Sequence, residues 1–201
     1  QNRIIKENFS QKILREDFNE QNYSFPIVAG LDGQYAITMD SLGYYGLGSG
    51  NTEYPILIDW KNDLKDFELQ VKIRLKDEKE SFVIQKLQGD KGQVIGLILK
   101  YNRDTQEALI FEINTVRQYR LSHLKNGKLR PLSGDWVFSE NIKRNELNDI
   151  LVKTKDNIYE FHINNECTLT RELKRIGDNL NSGDFGFYIG PNTQAMIDYF
   201  Y

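Results

Sequence analysis

The sequence predicts an all-β protein built as a two-sheet antiparallel sandwich, and three observations predict it. Apolar and polar residues alternate with period two along several segments, as strands with one wet face require. The chain carries 11 Phe and 11 Tyr beside only 4 Pro, so residues that suit a pleated, half-buried surface are plentiful and the strongest interrupter is rare. Short runs of Asn, Asp and Gly separate the alternating segments with almost no helical pattern between them, which is the spacing of antiparallel hairpins.

The N-terminal stretch is the least patterned. Lys6-Glu7-Asn8-Phe9 is compatible with a first strand, residues 10–22 with a short helix or an extended arm, and residues 1–30 as a whole with an arm or edge. Gly33 to Met39 alternates as a strand. Gly43, Gly46, Gly48 and Gly50 then crowd around Tyr44 and Tyr45, which predicts a loop or a sharply bent edge, because glycine tolerates backbone angles that strain other residues.

From residue 55 the alternation is strong. Phe67, Leu69, Val71, Ile73 and Leu75 interleave with Glu68, Gln70, Lys72 and Arg74. Ser81 to Leu87 is the expected partner of that strand across the solvated turn Lys76-Asp77-Glu78-Lys79-Glu80. Val94 to Tyr101 and Gln106 to Ile113 flank Asn102-Arg103-Asp104-Thr105, a hairpin signature. Arg117 to Leu124 is closed by Asn126-Gly127, a pair suited to positive φ angles. Residues 131–147, with Trp136, read as a connection. Asp149 to Thr154 and Asn157 to Asn164 are joined at Lys155-Asp156, with Cys167 in a turn beyond them. Leu169 to Leu180 is the one segment with a helical option. Gly183 to Ile189 and Gln194 to Phe200 close the chain around Gly190-Pro191-Asn192-Thr193. With no repeat, linker or composition break, residues 1–201 read as one domain.

Composition removes several classes of function. A chain of 201 residues buries about 70% of its unfolded surface, enough to hold together without disulfide or metal. Its 26 basic and 29 acidic residues give a net charge of −3 and are interspersed, whereas nucleic-acid binders gather a basic excess into a patch. Nucleic acid and anionic membrane are therefore not expected partners. The single cysteine, Cys167, excludes an internal disulfide and has no charged cluster to activate it. No apolar run reaches the length of a membrane span, so no membrane insertion is expected. The first residues are polar, led by Gln1, as in a trimmed chain.

The order of elements resembles a known superfamily. Gly96-Leu97-Ile98-Leu99, then Ala108 to Ile113, then Tyr119-Arg120-Leu121 is similar to the middle of concanavalin A-like lectin/glucanase domains. The series continues with Asn148 to Val152, Tyr159 to Asn165, Gly183 to Phe187, and a final Ile197-Asp198-Tyr199-Phe200. Laminin G-like modules and the 3-keto-disaccharide hydrolase domain share this order, and the match covers residues 55–201. The resemblance implies a jelly-roll sandwich and an extracytoplasmic setting, whether periplasmic, cell-surface or secreted. Its members include lectins, glycan-binding modules, glycosidases and interaction domains, so fold alone chooses no function.

Departures from the pattern are informative. Laminarinase-like members carry a Glu-x-Asp-x-x-Glu strand that places two carboxylates for acid and nucleophile roles, and no such spacing occurs here. Glu16, Asp17 and Glu20 are wrongly spaced and read as surface. His123 and His162 lack the i+2 or i+4 partners of a metal site. Gly46-Leu47-Gly48-Ser49-Gly50 lacks the spacing and the strand-to-helix context of a nucleophile elbow. No cofactor is predicted. Asp178, Asn179, Asn181 and Asp184 have the oxygen chemistry of a rim calcium site and equally that of an ordinary turn.

Sugar binding needs an aromatic plate beside planar hydrogen-bonding groups, and three places offer these. Tyr44 and Tyr45 lie with Asn51 in the glycine-rich stretch. Trp136 lies beside Asp135 in the connection. Lys100, Glu112 and Arg120 are expected to face away from Leu99, Phe111 and Leu121, forming a charged strip if their strands are neighbours. The bland alternative is a cross-strand row of ion pairs. Trp60 reads as core. The expected function is a non-catalytic binding module for a glycan or protein partner. The alternatives are an enzyme of the 3-keto-disaccharide hydrolase type acting through carboxylates such as Glu112, and a structural or assembly domain.

Overall fold

The computed structural model describes residues 35–39, 45–49, 54–57, 65–76, 92–173, 180 and 183–200. Within them the chain forms β1 (Tyr35–Met39), β2 (Tyr45–Ser49), β3 (Tyr54–Leu57), β4 (Phe67–Leu75), β5 (Val94–Asn102), β6 (Glu107–Asn114) and β7 (Gln118–Lys125). There follow β8 (Lys128–Pro131), β9 (Val137–Phe138), β10 (Asn148–Lys155), β11 (Ile158–Ile163), β12 (Glu166–Glu172), β13 (Asp184–Ile189) and β14 (Gln194–Phe200). One sheet runs β1-β2-β14-β4-β10-β11-β12; the other runs β3-β13-β5-β6-β7-β8, with β9 also on β7. This is a two-sheet antiparallel jelly-roll sandwich.

The core follows from the alternation. Phe67, Leu69, Val71 and Ile73 of β4, Ile150 and Val152 of β10, and Tyr159, Phe161 and Ile163 of β11 face Leu97, Leu109, Phe111, Ile113, Phe185 and Phe187 from the opposite sheet. Burying each such side chain contributes about 1.5–3 kcal/mol. The second sheet is also apolar on its outer side, where Ile98, Ala108, Ile110, Leu124 and Tyr188 form a smaller cluster. Strand β6 is consequently buried along its whole length.

Turn chemistry sets the register. Three hairpins place consecutive residues at positive φ: Asn126 and Gly127, Asp156 and Asn157, and Asn164 and Asn165. Paired left-handed residues match the twist of the flanking strands, and Asn, Asp and Gly adopt them at least cost.

Several expectations change. The glycine-rich stretch is a strand, not a bent edge: β2 lies between β1 and β14, with Gly46 opposite Thr38 and Met196. Strand β4 is flanked by β14 and β10, so its partners come from distant sequence, not from Ser81 to Leu87. Those residues lie outside the described set, as do residues 1–30 and Trp60. Cys167 and Leu169 belong to β12, paired with β11; the tight turn at Asn164-Asn165 returns the chain at once, leaving no room for a turn at Cys167 or a helix from Leu169. The connection 131–147 contains the short strand β9. It is tied down by Asn148, whose Oδ1 accepts from Lys143 N at 2.7 Å and whose Nδ2 donates to Lys143 O at 2.8 Å.

Candidate functional site: a charged pair on the outer face of the second sheet

Because Leu109, Phe111 and Ile113 point into the sandwich, Glu112 must point out of it. The ladder places Pro55, Tyr188, Gly96, Glu112 and Arg120 in one row across β3, β13, β5, β6 and β7. Gly96 is the low point of that row. A Cβ there would lie 2.6 Å from Ile110 Cγ2 and 3.2 Å from Glu112 Cγ, so the missing side chain is what lets Ile110 and Glu112 close over the strand.

Glu112, 1% exposed, and Arg120 form a two-bonded pair. Arg120 Nε donates to Glu112 Oε2 and Nη2 to Oε1, each at 2.8 Å. Ser122, two residues along β7, donates its hydroxyl to Oε2 at 2.6 Å. Burial opposes the charge on Arg120, but the hydrogen bonds and field of Glu112, with Asp135 and Tyr188, outweigh it and hold the guanidinium above its ordinary range. Trp136 lays its indole over that guanidinium at 4.4 Å. Its Nε1 is buried and finds no acceptor. Beyond Trp136, Phe138 is the one large apolar side chain left exposed among the described residues, at 47%. It lies opposite Gln118, with the Arg117 guanidinium 5.4 Å from its ring.

The structure thus brings together Glu112, Arg120 and Trp136, which the sequence left in two separate groups. It removes Lys100. A register shift between Leu99 and Asn102 and a φ of 57° at Lys100 break the alternation, and the side chain turns inward. Lys100 is 2% exposed. Its amine donates to Lys65 O at 2.8 Å and lies 5.5 Å from the rings of both Phe67 and Tyr159. Burial draws that amine down to about 8, with Asp66 opposing the shift. Tyr44 lies outside the described residues, and Tyr45 is placed in β2 without a described side chain.

Ser122, Tyr188 and Phe138 were missed. The signal for Ser122 was available, since it shares a strand face with Arg120. Tyr188 needed the knowledge that β13 borders β5, which local sequence does not carry.

The histidines stand apart from this face. His123 Nε2 lies 3.3 Å from Glu107 Oε2 at the end of β6, where Lys125 Nζ also approaches Oε1 at 2.7 Å. His162 Nε2 lies 3.6 Å from Glu160 Oε2 on the other sheet. Among the described residues no group of three or more His, Cys, Asp or Glu is arranged to hold a metal ion. Asp184, one of the four oxygen donors considered for calcium, is paired with Arg103; the other three lie outside the described residues. Among those residues no helix is long and apolar enough to cross a membrane.

The architecture is that of the concanavalin A-like lectins and glucanases. The chain is similar to carbohydrate binding module CBM66 from Bacillus subtilis, at 12% identity and a TM-score of 0.62 over 86% of this chain and 96% of that one. It is similar to the laminarinase catalytic domain from Thermotoga maritima, at 11% identity and a TM-score of 0.59 over 94% and 96%. The exoplasmic/lumenal domain of VIP36, described in a Ca2+/Man-bound form, follows at 14% identity and a TM-score of 0.59 over 83% and 80%. At these identities the likeness is one of fold. No family model matches the chain, and no curated protein sequence matches it.

Proposed function

We propose that the outer face of the second sheet binds a glycan and does not cleave it. The similar structures include a binding module and a hydrolase, so fold does not decide between these activities. The observation that carries the reading is the state of Glu112. An ionised carboxylate offers about four acceptor positions, and three are taken by Arg120 and Ser122. Proton transfer or nucleophilic attack by Glu112 would first have to break that buried pair. Retaining glycosidases instead hold two carboxylates about 5–5.5 Å apart across the scissile bond. The partners of Glu112 are a guanidinium and a hydroxyl. What the face retains is suited to recognition: spare N–H donors on Arg120, an indole beside them, and Phe138 at the rim. This reading carries an extracytoplasmic placement with it, as the resemblance implied.

A glycan array probed with the purified chain, followed by product analysis on every sugar bound, tests the proposal. Binding without release of shorter products is expected, and Arg120→Gln should abolish it. Turnover that is lost in Glu112→Gln would replace this reading with the hydrolase. An empty array would shift weight to a protein partner or an assembly role.

A further inference from the structure

We propose that Gly134-Asp135-Trp136 is a lid over the Arg120–Glu112 pair, closed in this structure, and that a ligand reaches Arg120 only when the indole swings away. This deepens the binding reading above and rests on it for what enters, not for the motion. Access is the first consideration. With Trp136 laid over it, the Arg120 side chain is 12% exposed and that of Glu112 1%. The pair is sealed as it stands, so recognition through Arg120 needs a way to uncover it.

The backbone supplies that way. Val137 pairs with Tyr119 of β7, and a regular ladder continued from there would set Trp136 opposite Arg120 and Asp135 opposite Leu121. The ladder breaks instead. Leu121 N donates to Ser133 Oγ at 3.0 Å, and Leu121 O accepts from Leu132 N at 2.7 Å. Residues 134–136 therefore arch between two anchors on β7, and among the described residues no backbone–backbone hydrogen bond ties them to it. Trp136 N donates only to the side chain of its neighbour Asp135, at 2.9 Å. Gly134, at a φ of 93° and with nothing within 4 Å of where a Cβ would lie, has room and conformational freedom to turn. The forces on the indole oppose one another. Stacking at 4.4 Å from the guanidinium holds it down, while its buried N–H, which has no acceptor among the described residues, gains water on opening. The two effects are of the same order, so the open position is within thermal reach.

Hydrogen exchange into D2O, followed by NMR on the full chain, tests the motion without any ligand. The Trp136 indole N–H, assigned by its disappearance in Trp136→Phe, should be protected at least about a hundredfold less than the Ile110 amide. Its exchange should also be independent of urea below the unfolding transition, as local opening exposes little surface. Exchange in step with Ile110, with the same urea slope, would overturn the lid. Gly134→Ala strains the closed backbone, because alanine disfavours positive φ, and should speed indole exchange by about fivefold or more. Unchanged exchange in that variant would overturn Gly134 as the hinge. Titration calorimetry on any sugar retained by the array should then show Gly134→Ala binding tighter by the same factor, since apparent affinity scales with a small open fraction. Faster exchange with unchanged affinity would overturn the lid as the gate to Arg120. A thermal melt checks folding; if that variant does not fold, the wild-type exchange decides. An empty array beside urea-independent exchange would overturn glycan binding and leave the motion standing.

Discussion

Phe111 of one sheet stacks on Phe161 of the other with ring centroids 4.5 Å apart and planes 21° from parallel. The contact joins β6, which carries Glu112, to the sheet behind it. Phe111→Ala should therefore cost about 3–5 kcal/mol, read as a lower urea midpoint with an unchanged slope. Phe111→Asp should yield no cooperative transition, because it buries an unpaired charge. A folded, soluble Phe111→Asp protein would show that this face of β6 is not core.

Gly96 should resist even alanine. A methyl group would press on Ile110, itself fully buried, and crowding of this kind costs about 1–3 kcal/mol. Gly96→Ala is expected to melt below wild type. Gly127→Ala is the useful contrast, since nothing lies within 4 Å of it and its cost comes from a φ of 71° alone.

Lys100 should make the protein more stable in mild alkali. The unfolded chain binds the amine proton up to about its ordinary 10.5, the folded chain only to about 8. Between those values unfolding takes up a proton, so stability rises with pH, by as much as about 3 kcal/mol over the whole window. Below pH 8 both states are charged and the burial cost is fully present. Lys100→Met should be at least as stable as wild type at pH 7, and the difference between the two should shrink steadily from pH 8 to 9.5. A constant difference would mean that the amine titrates normally.

Glu107 works in the opposite sense. The hydrogen bond from Lys125, against a smaller cost of burial and with help from His123, holds its carboxyl below the usual 4.5. The stabilisation is present above 4.5 and is lost as pH falls through the lower, folded value. Lys125 is largely exposed, so Glu107→Gln should cost no more than about 1 kcal/mol at neutral pH. Urea melts at descending pH from 7 should show that deficit at pH 7 and its progressive loss once the pH falls through the folded value.

Much of this was legible in the chain. The alternation from Phe67 to Leu75 placed β4 and its core face, and Asn126-Gly127 placed a hairpin. Glu112, Arg120 and their opposition to Phe111 and Leu121 came from the same period-two rule. What failed were features fixed at long range or by single dihedrals. Lys100 left the strip because one residue adopts positive φ at a bulge. Gly46 and Gly48 sit in a paired strand because β14 returns from the far end of the chain to flank them. Trp136 could be named as an aromatic plate, but its partnership with Arg120 depends on how the 131–147 connection folds back along β7.

Cys167 is the chain's single thiol, and it is exposed on β12, at the far margin of the first sheet. Glu112 and Arg120 belong to the second sheet. Maleimide chemistry would thus attach every molecule to a bead or sensor chip through one defined point, in one orientation, with the opposite sheet turned toward the solution. The native sequence supplies that handle without an added tag.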